Sequence, residues 1–285
     1  MAICILNATM PVFGIDQETP PMPAKRPTVA DIRALKGKRQ MTMLYVETLD
    51  EARAAAAAGI DMLSIIDPVW TPEMREAAGS CFVQVGLLYG ELCTYEDYLR
   101  AAHRAFRIGG DCVYCAASIE TITKLAAEGI PVVGHVGLIP SKATWTGGFK
   151  AVGKTAESAM LVFEQVKALE AAGAFGAELE CVPDRVAAEI SKRTSLVMLS
   201  MGAGTGGDAQ YLFAEDVLGC TRGHKPRHAK TYRDFNAEYA RLQQERIAAF
   251  GEFRSDVVSG AYPAKEHLIP VEDAEFAAFM EKIKS

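Results

Sequence analysis

From residue 41 to residue 204 the sequence switches repeatedly between short apolar runs and amphipathic segments closed by glycine. Strand-like runs fall at 41–47 ("MTMLYVE"), 60–67 ("IDMLSIID"), 81–89 ("CFVQVGLLY"), 111–117 ("DCVYCAA"), 131–138 ("PVVGHVGL"), 175–181 ("FGAELEC") and 195–204 ("SLVMLSMGAG"). Helix-like segments separate them, among them "LDEARAAAAA" (49–58), "YEDYLRAAHRAFRIG" (95–109) and "AESAMLVFEQVKALEAAG" (156–173). Strands alternating with helices imply a parallel sheet, and glycine past a helix end supplies a left-handed cap. Seven such units, with a fainter eighth placed near residues 226–233, predict an α/β fold: a closed (β/α)8 TIM barrel rather than an open doubly wound sheet. Residues 1–30, rich in Pro and Met, are expected to form an irregular N-terminal arm. Residues 31–285 are expected to form a single TIM-barrel domain. It ends in a C-terminal helical tail that packs on the barrel or on a neighbouring subunit.

The chain has 285 residues, 49% of them hydrophobic, enough for a large core. A net charge of −6 argues against a nucleic-acid surface. No apolar run approaches the ~20 residues that span a bilayer. The start, "MAICILNATMPVFG", lacks the basic segment of a secretory signal. Seven cysteines, odd in number and mostly in apolar runs, read as reduced thiols of a cytoplasmic protein. Cys112 and Cys115 have a Cys-x-x-Cys spacing but no second pair to complete a metal site.

In a barrel of this kind chemistry sits at the carboxyl ends of the strands. Glu47, Asp67, His135 and Glu180 fall at or near such ends. They either share one mouth or are separate loop residues meeting water at the rim. In "GAFGAELECVP" (173–183) the period of two turns Glu178 and Glu180 to one face. Glu178 is expected to point into the barrel one layer below Glu180. It either holds a proton with its neighbour or is neutralised by a core Lys or Arg.

The ordered motifs "GIPVVGHVGLIP", "GGFKAVGKT", "ALEAAGAFGAELECVP" and "MGAGTGGDAQ", followed by "HKPRHAK" and "SGAYPAKEH", give the chain a family likeness. From about Met41 to His267 it resembles ketopantoate hydroxymethyltransferase. The resemblance implies a barrel of the phosphoenolpyruvate mutase and isocitrate lyase superfamily, assembled as a homo-oligomer, usually a decamer. It implies a small 2-oxo acid substrate, 3-methyl-2-oxobutanoate in the type enzyme, chelated by Mg2+, with methylenetetrahydrofolate as one-carbon donor. The family's glutamate base matches Glu180, and the histidine of its "GHLGL" run matches His135 as an orienting or electrophilic group. Such a base works best close to the acidified carbon in a partly dry site, with the enolate oxygen stabilised by a cation or by aligned donors.

Several of the family's metal and substrate positions differ. The second strand of the family ends in Gly-Asp-Ser, where this chain has Asp67 and Pro68. The third ends in Ala-Asp, where this chain has Gly86. The fourth carries Lys-x-Glu, where this chain has Tyr114 and Ala116, and Glu47 replaces a first-strand tyrosine. Glu47, Asp67, Pro68, Gly86 and Tyr114 are therefore the expected substrate-binding positions. Three readings stay open. Mg2+ sits on Asp67 with Glu47 as its partner, or Tyr114 and His135 polarise the carbonyl without metal, or the chain is a non-catalytic oligomeric ligand-binding relative. A C–C lyase or aldolase acting on another oxo or hydroxy acid is a further alternative. Lys142, Lys150 and Lys154 either close over the site or are solvated. "MGAGTGGDAQ" reads as a glycine-rich turn into a helix, which either binds an anion or is only a tight turn. Trp70 and Trp145 either wall the pocket or pack on the rim.

Overall fold

Thr28 caps the first helix among the described residues. The structure is a computed structural model describing residues 26–284; residues 1–25 of the expected arm lie outside the described residues. Helix α1 (Val29–Leu35) thus starts within the stretch expected to be irregular. Its cause is a capping box: Thr28 Oγ1 accepts the Asp31 N–H at 3.3 Å, and the Asp31 carboxylate accepts the Thr28 N–H at 2.8 Å. Ile32 on this helix is buried and joins the core at the floor of the barrel.

The strands are β1 (Met41–Tyr45), β2 (Met62–Ile66), β3 (Phe82–Gly86), β4 (Cys112–Tyr114), β5 (Val132–Gly137), β6 (Gly176–Glu180), β7 (Val197–Met201) and β8 (Ala209–Phe213). All pair in parallel, in order, and β8 closes on β1. Between them lie α2 (Leu49–Ala57), α3 (Pro72–Ala77), α4 (Tyr95–Ile108), α5 (Ile119–Ala127), the short α6 (Ala143–Thr146), α7 (Ala156–Ala171) and α8 (Asp184–Ser191); α9 (Ala214–Leu218) follows β8. The expected closed TIM barrel is therefore present. Threonine starts many of its helices: Thr48, Thr94 and Thr155 form capping boxes for α2, α4 and α7.

The strands are apolar on both faces because helices cover one and the barrel core fills the other. Outward residues such as Leu63, Val83, Val113 and Leu179 are fully buried. Inward residues are layered. Met41, Met62, Phe82, Val197 and Ala209 make an apolar floor with Phe175. One layer up stand buried polar groups, Ser64, Gln84, His135 and Glu178. Cys112 and Cys115 are both free and buried. Three residues apart along extended backbone, they point to opposite faces and form no joint site.

The eighth strand corrects the sequence reading. It is Ala209–Phe213, and residues 226–233 carry no regular element. The "MGAGTGGDAQ" run leads into this strand and not into a helix. Its glycines permit close approach to α8, since a Cβ on Gly206 would lie 2.4 Å from Ala188 Cβ and one on Gly204 2.6 Å from Asp184 Cβ.

The chain divides into two compact units. One comprises residues up to 217 together with 221–231 and holds the barrel. The other comprises 218–220 and 232–285, and its described part includes α10 (Phe235–Ser259) and α11 (Asp273–Lys282). The expected C-terminal helices are thus found. Ile247, Phe250, Phe253 and Val258 on α10 are exposed.

Candidate active site

Strands β5 and β6 are neighbours, and their register sets His135 opposite Glu178 and Gly137 opposite Glu180. The imidazole therefore stands between two carboxyl groups. Its Nδ1 is 3.5 Å from Glu178 Oε2, and its Nε2 is 3.1 Å from Glu180 Oε2. Nε2 is buried, and the contact with Glu180 is not a hydrogen bond. From β4, the Tyr114 hydroxyl reaches His135 Nδ1 at 2.7 Å. From β3, Gln84 Nε2 donates to Glu178 Oε1 at 2.8 Å and to Ser64 Oγ at 3.2 Å.

Burial dominates the electrostatics here. It pushes the Glu178 carboxyl up to about 7, against the opposing pull of His135 and of the Gln84 hydrogen bond, while Glu180 adds to the rise. The neighbours of Glu178 are thus Gln84 and His135, where the sequence reading allowed a core Lys or Arg. The Tyr114 hydroxyl is raised well above its ordinary value by burial and by the two glutamates, so it remains an O–H donor at neutral pH.

Glu180 is held by an unusual strand end. Its carbonyl accepts the Leu138 N–H at 2.9 Å, and Cys181, next in line, has φ +53°. The Cys181 N–H is retained by the Met201 carbonyl at 2.9 Å. Gly137, at φ +86°, leaves room for this arrangement, since a Cβ there would be 2.3 Å from the Glu180 carbonyl oxygen.

These groups line a cavity of about 870 Å³ formed at the carboxyl ends of the strands. Of the expected positions, Glu47, Gly86, Tyr114, Ala116, His135 and Glu180 border it. Asp67 and Pro68 do not. They open a short turn (Asp67–Val69), and the Asp67 carboxylate is taken by the Arg104 guanidinium of α4. A partner on another helix, 37 residues away, draws the carboxylate off. Lys142, Lys150 and Lys154 are also absent from the lining, and Lys142 stands 5.7 Å above the Tyr89 ring. Trp70 is buried, its Nε1–H donated to the Ala105 carbonyl at 3.0 Å, and Trp145 is exposed. Neither borders the cavity; Phe149 does.

The lining includes residues not expected from the sequence: Tyr45, Ser64, Tyr211, Glu215, Asp216, His224 and His228. Ser64 carried a usable signal, a lone polar residue at an inward position of an apolar strand, as did the deeper Gln84. The two histidines come from an irregular loop that leaves no periodic trace.

The residues present do not fit the expected Mg2+. Gly86 and Ala116 offer no donor, and Asp67 is engaged by Arg104. Glu47 accepts the Tyr45 hydroxyl at 2.9 Å, so Glu47 and Asp67 face different partners. Among the described residues no three His, Cys, Asp or Glu side chains converge on a point that holds a metal ion.

A parallel eight-stranded barrel with buried carboxyl and imidazole groups at its strand ends has the architecture of a TIM-barrel enzyme. The family profile described as ketopantoate hydroxymethyltransferase matches residues 72–265. A Thermus thermophilus protein named 3-methyl-2-oxobutanoate hydroxymethyltransferase is 35% identical over 268 residues, covering 85% of this chain and 99% of that protein. A Halalkalibacterium halodurans protein of the same name is 36% identical over 272 residues, 86% of this chain and 95% of that one. Among solved structures, a candidate phosphonomutase from Burkholderia cenocepacia superposes with a TM-score of 0.52 at 14% identity, over 78% of this chain and 99% of that one; this is a likeness of fold. The chain belongs to the ketopantoate hydroxymethyltransferase family, enzymes that transfer a one-carbon group.

Proposed function

We propose that this chain enolises a small 2-oxo acid, 3-methyl-2-oxobutanoate or a close relative, and joins the enolate to a one-carbon unit supplied by methylenetetrahydrofolate. The observation that carries this reading is Glu180, fixed beside His135 at the wall of a roomy strand-end cavity. Glu180 takes the proton from the carbon next to the carbonyl, and the enolate carbon then attacks the one-carbon unit. His135 fixes the direction of the Glu180 carboxylate. The cavity lining holds no Lys or Arg among the described residues, so we assign the substrate's carboxylate to the side bordered by His224 and His228.

Deuterium exchange into 3-methyl-2-oxobutanoate, followed by NMR in D2O, tests the reading. The wild-type chain should exchange the proton beside the carbonyl, and Glu180→Gln should abolish it. Unchanged exchange in Glu180→Gln removes that residue from the role of base.

We further infer a cytoplasmic homo-oligomer, by family habit a decamer. Cys81, Cys93, Cys112, Cys115 and Cys181 are free thiols, as a reducing compartment requires. Large exposed apolar side chains on α10 suit burial against another copy. No described helix is long and apolar enough to cross a membrane. Light scattering during gel filtration measures the assembly directly.

A further inference from the structure

Forming an enolate places negative charge on the former carbonyl oxygen, and something must meet that charge. In this chain the donor set for a cation is dismantled at three strand ends: Asp67 is tied to Arg104, and Gly86 and Ala116 bring no oxygen. The wall of the same cavity carries a different device. Tyr114 and His135 meet at 2.7 Å, a contact in which either can donate. His135 Nε2 is buried and faces Glu180 Oε2 at 3.1 Å, so that side of the ring is turned to the base and not to the substrate. Where Nδ1–H donates to the tyrosine, the phenol O–H is left over, and Tyr114 borders the cavity. Beneath the ring, Glu178 is anchored by Gln84 at 2.8 Å and closes the Nδ1 side.

We propose that the Tyr114–His135 pair, and not a divalent cation, stabilises the enolate: the Tyr114 hydroxyl, held by His135, hydrogen-bonds the substrate's carbonyl oxygen while Glu180 removes the neighbouring proton. The C–H bond beside the carbonyl breaks, and its proton passes to a Glu180 oxygen. The electron pair becomes the C=C bond, and the carbonyl π pair moves onto oxygen, where the Tyr114 O–H meets it. No oxidant, reductant or further reactant is needed. The preformed donor acts as an oxyanion hole does, aimed in advance at the place where charge develops. Persistent burial of the phenol, whose ionisation is pushed far up, keeps it in the donating form.

This inference rests on the enolisation reading above, and one experiment separates the two. The full chain is freed of metals by chelator dialysis, and exchange into 3-methyl-2-oxobutanoate in D2O is followed in EDTA, then with added Mg2+, Mn2+ or Co2+. The expected result is the same exchange rate in EDTA as with metal. Tyr114→Phe and His135→Gln should each slow it by about a hundredfold, the typical loss for one such donor. Exchange that begins only when metal is added overturns the inference and leaves the enolisation reading standing. Absence of exchange under every condition overturns the reading itself, and the inference with it. Full-rate exchange in a folded Tyr114→Phe or His135→Gln protein also overturns the inference. Should either variant fail to fold, calorimetry of the unaltered chain with Mg2+ decides: no saturable heat is expected, and saturable binding that tracks the onset of exchange overturns it.

Discussion

Glu178 is the side chain on which folding and chemistry press hardest. Its carboxyl is raised from an ordinary 4.5 to about 7 by burial. It is faced by Gln84 from β3, Cys112 and Tyr114 from β4, His135 from β5, Glu180 from its own strand and Tyr211 from β8. Below its ordinary value both folded and unfolded chains hold the proton. Between there and about 7 the folded chain keeps a proton that the unfolded chain releases, so stability falls as pH rises. The whole effect is on the order of 3 kcal/mol. Glu178→Gln should flatten this slope: the fall in urea midpoint from about pH 5 to about pH 8 should be smaller than in the parent chain. Two acids in an apolar strand made Glu178 and Glu180 conspicuous in the sequence. The Asp67–Arg104 pair left no such mark, because a contact between a strand-end turn and a distant helix has no local pattern.

At the level of elements, the turn from β5 into its loop decides where the base stands. A methyl group on Gly137 would lie 2.3 Å from the Glu180 carbonyl oxygen, and the residue also needs φ +86°. Gly137→Ala should therefore destabilise the chain by about 2 kcal/mol or more in urea unfolding and lower exchange activity as well, because Glu180 moves with its backbone. The rhythm of strands and helices made seven of the strands readable. β8 broke that rhythm: residues 202–208 return from β7 without a helix, and α8 lies where glycine lets the backbone run close. A five-residue strand with Gln210 in it, following a glycine run, looks locally like the continuation of a loop.

Across the whole molecule the barrel separates support from chemistry. The floor is sealed by Met41, Met62, Phe82, Phe175 and Ile32, and Glu47, Pro68, Gly86 and Ala116 stand at or just past the strand ends above it. If these departures from the family pattern removed the cation site, reversing them should restore it. Gly86 has room for a side chain, its nearest neighbour being Ile66 Cγ2 at 3.5 Å from a built Cβ. A Gly86→Asp, Ala116→Glu and Arg104→Ala chain, which also releases Asp67, should show saturable Mg2+ heat in calorimetry where the parent shows none. The layered interior thereby allows a lineage to exchange one catalytic chemistry for another while its apolar floor goes unaltered. Descendants that have lost the ancestral reaction would still mature as well-folded proteins, open to selection for a different substrate.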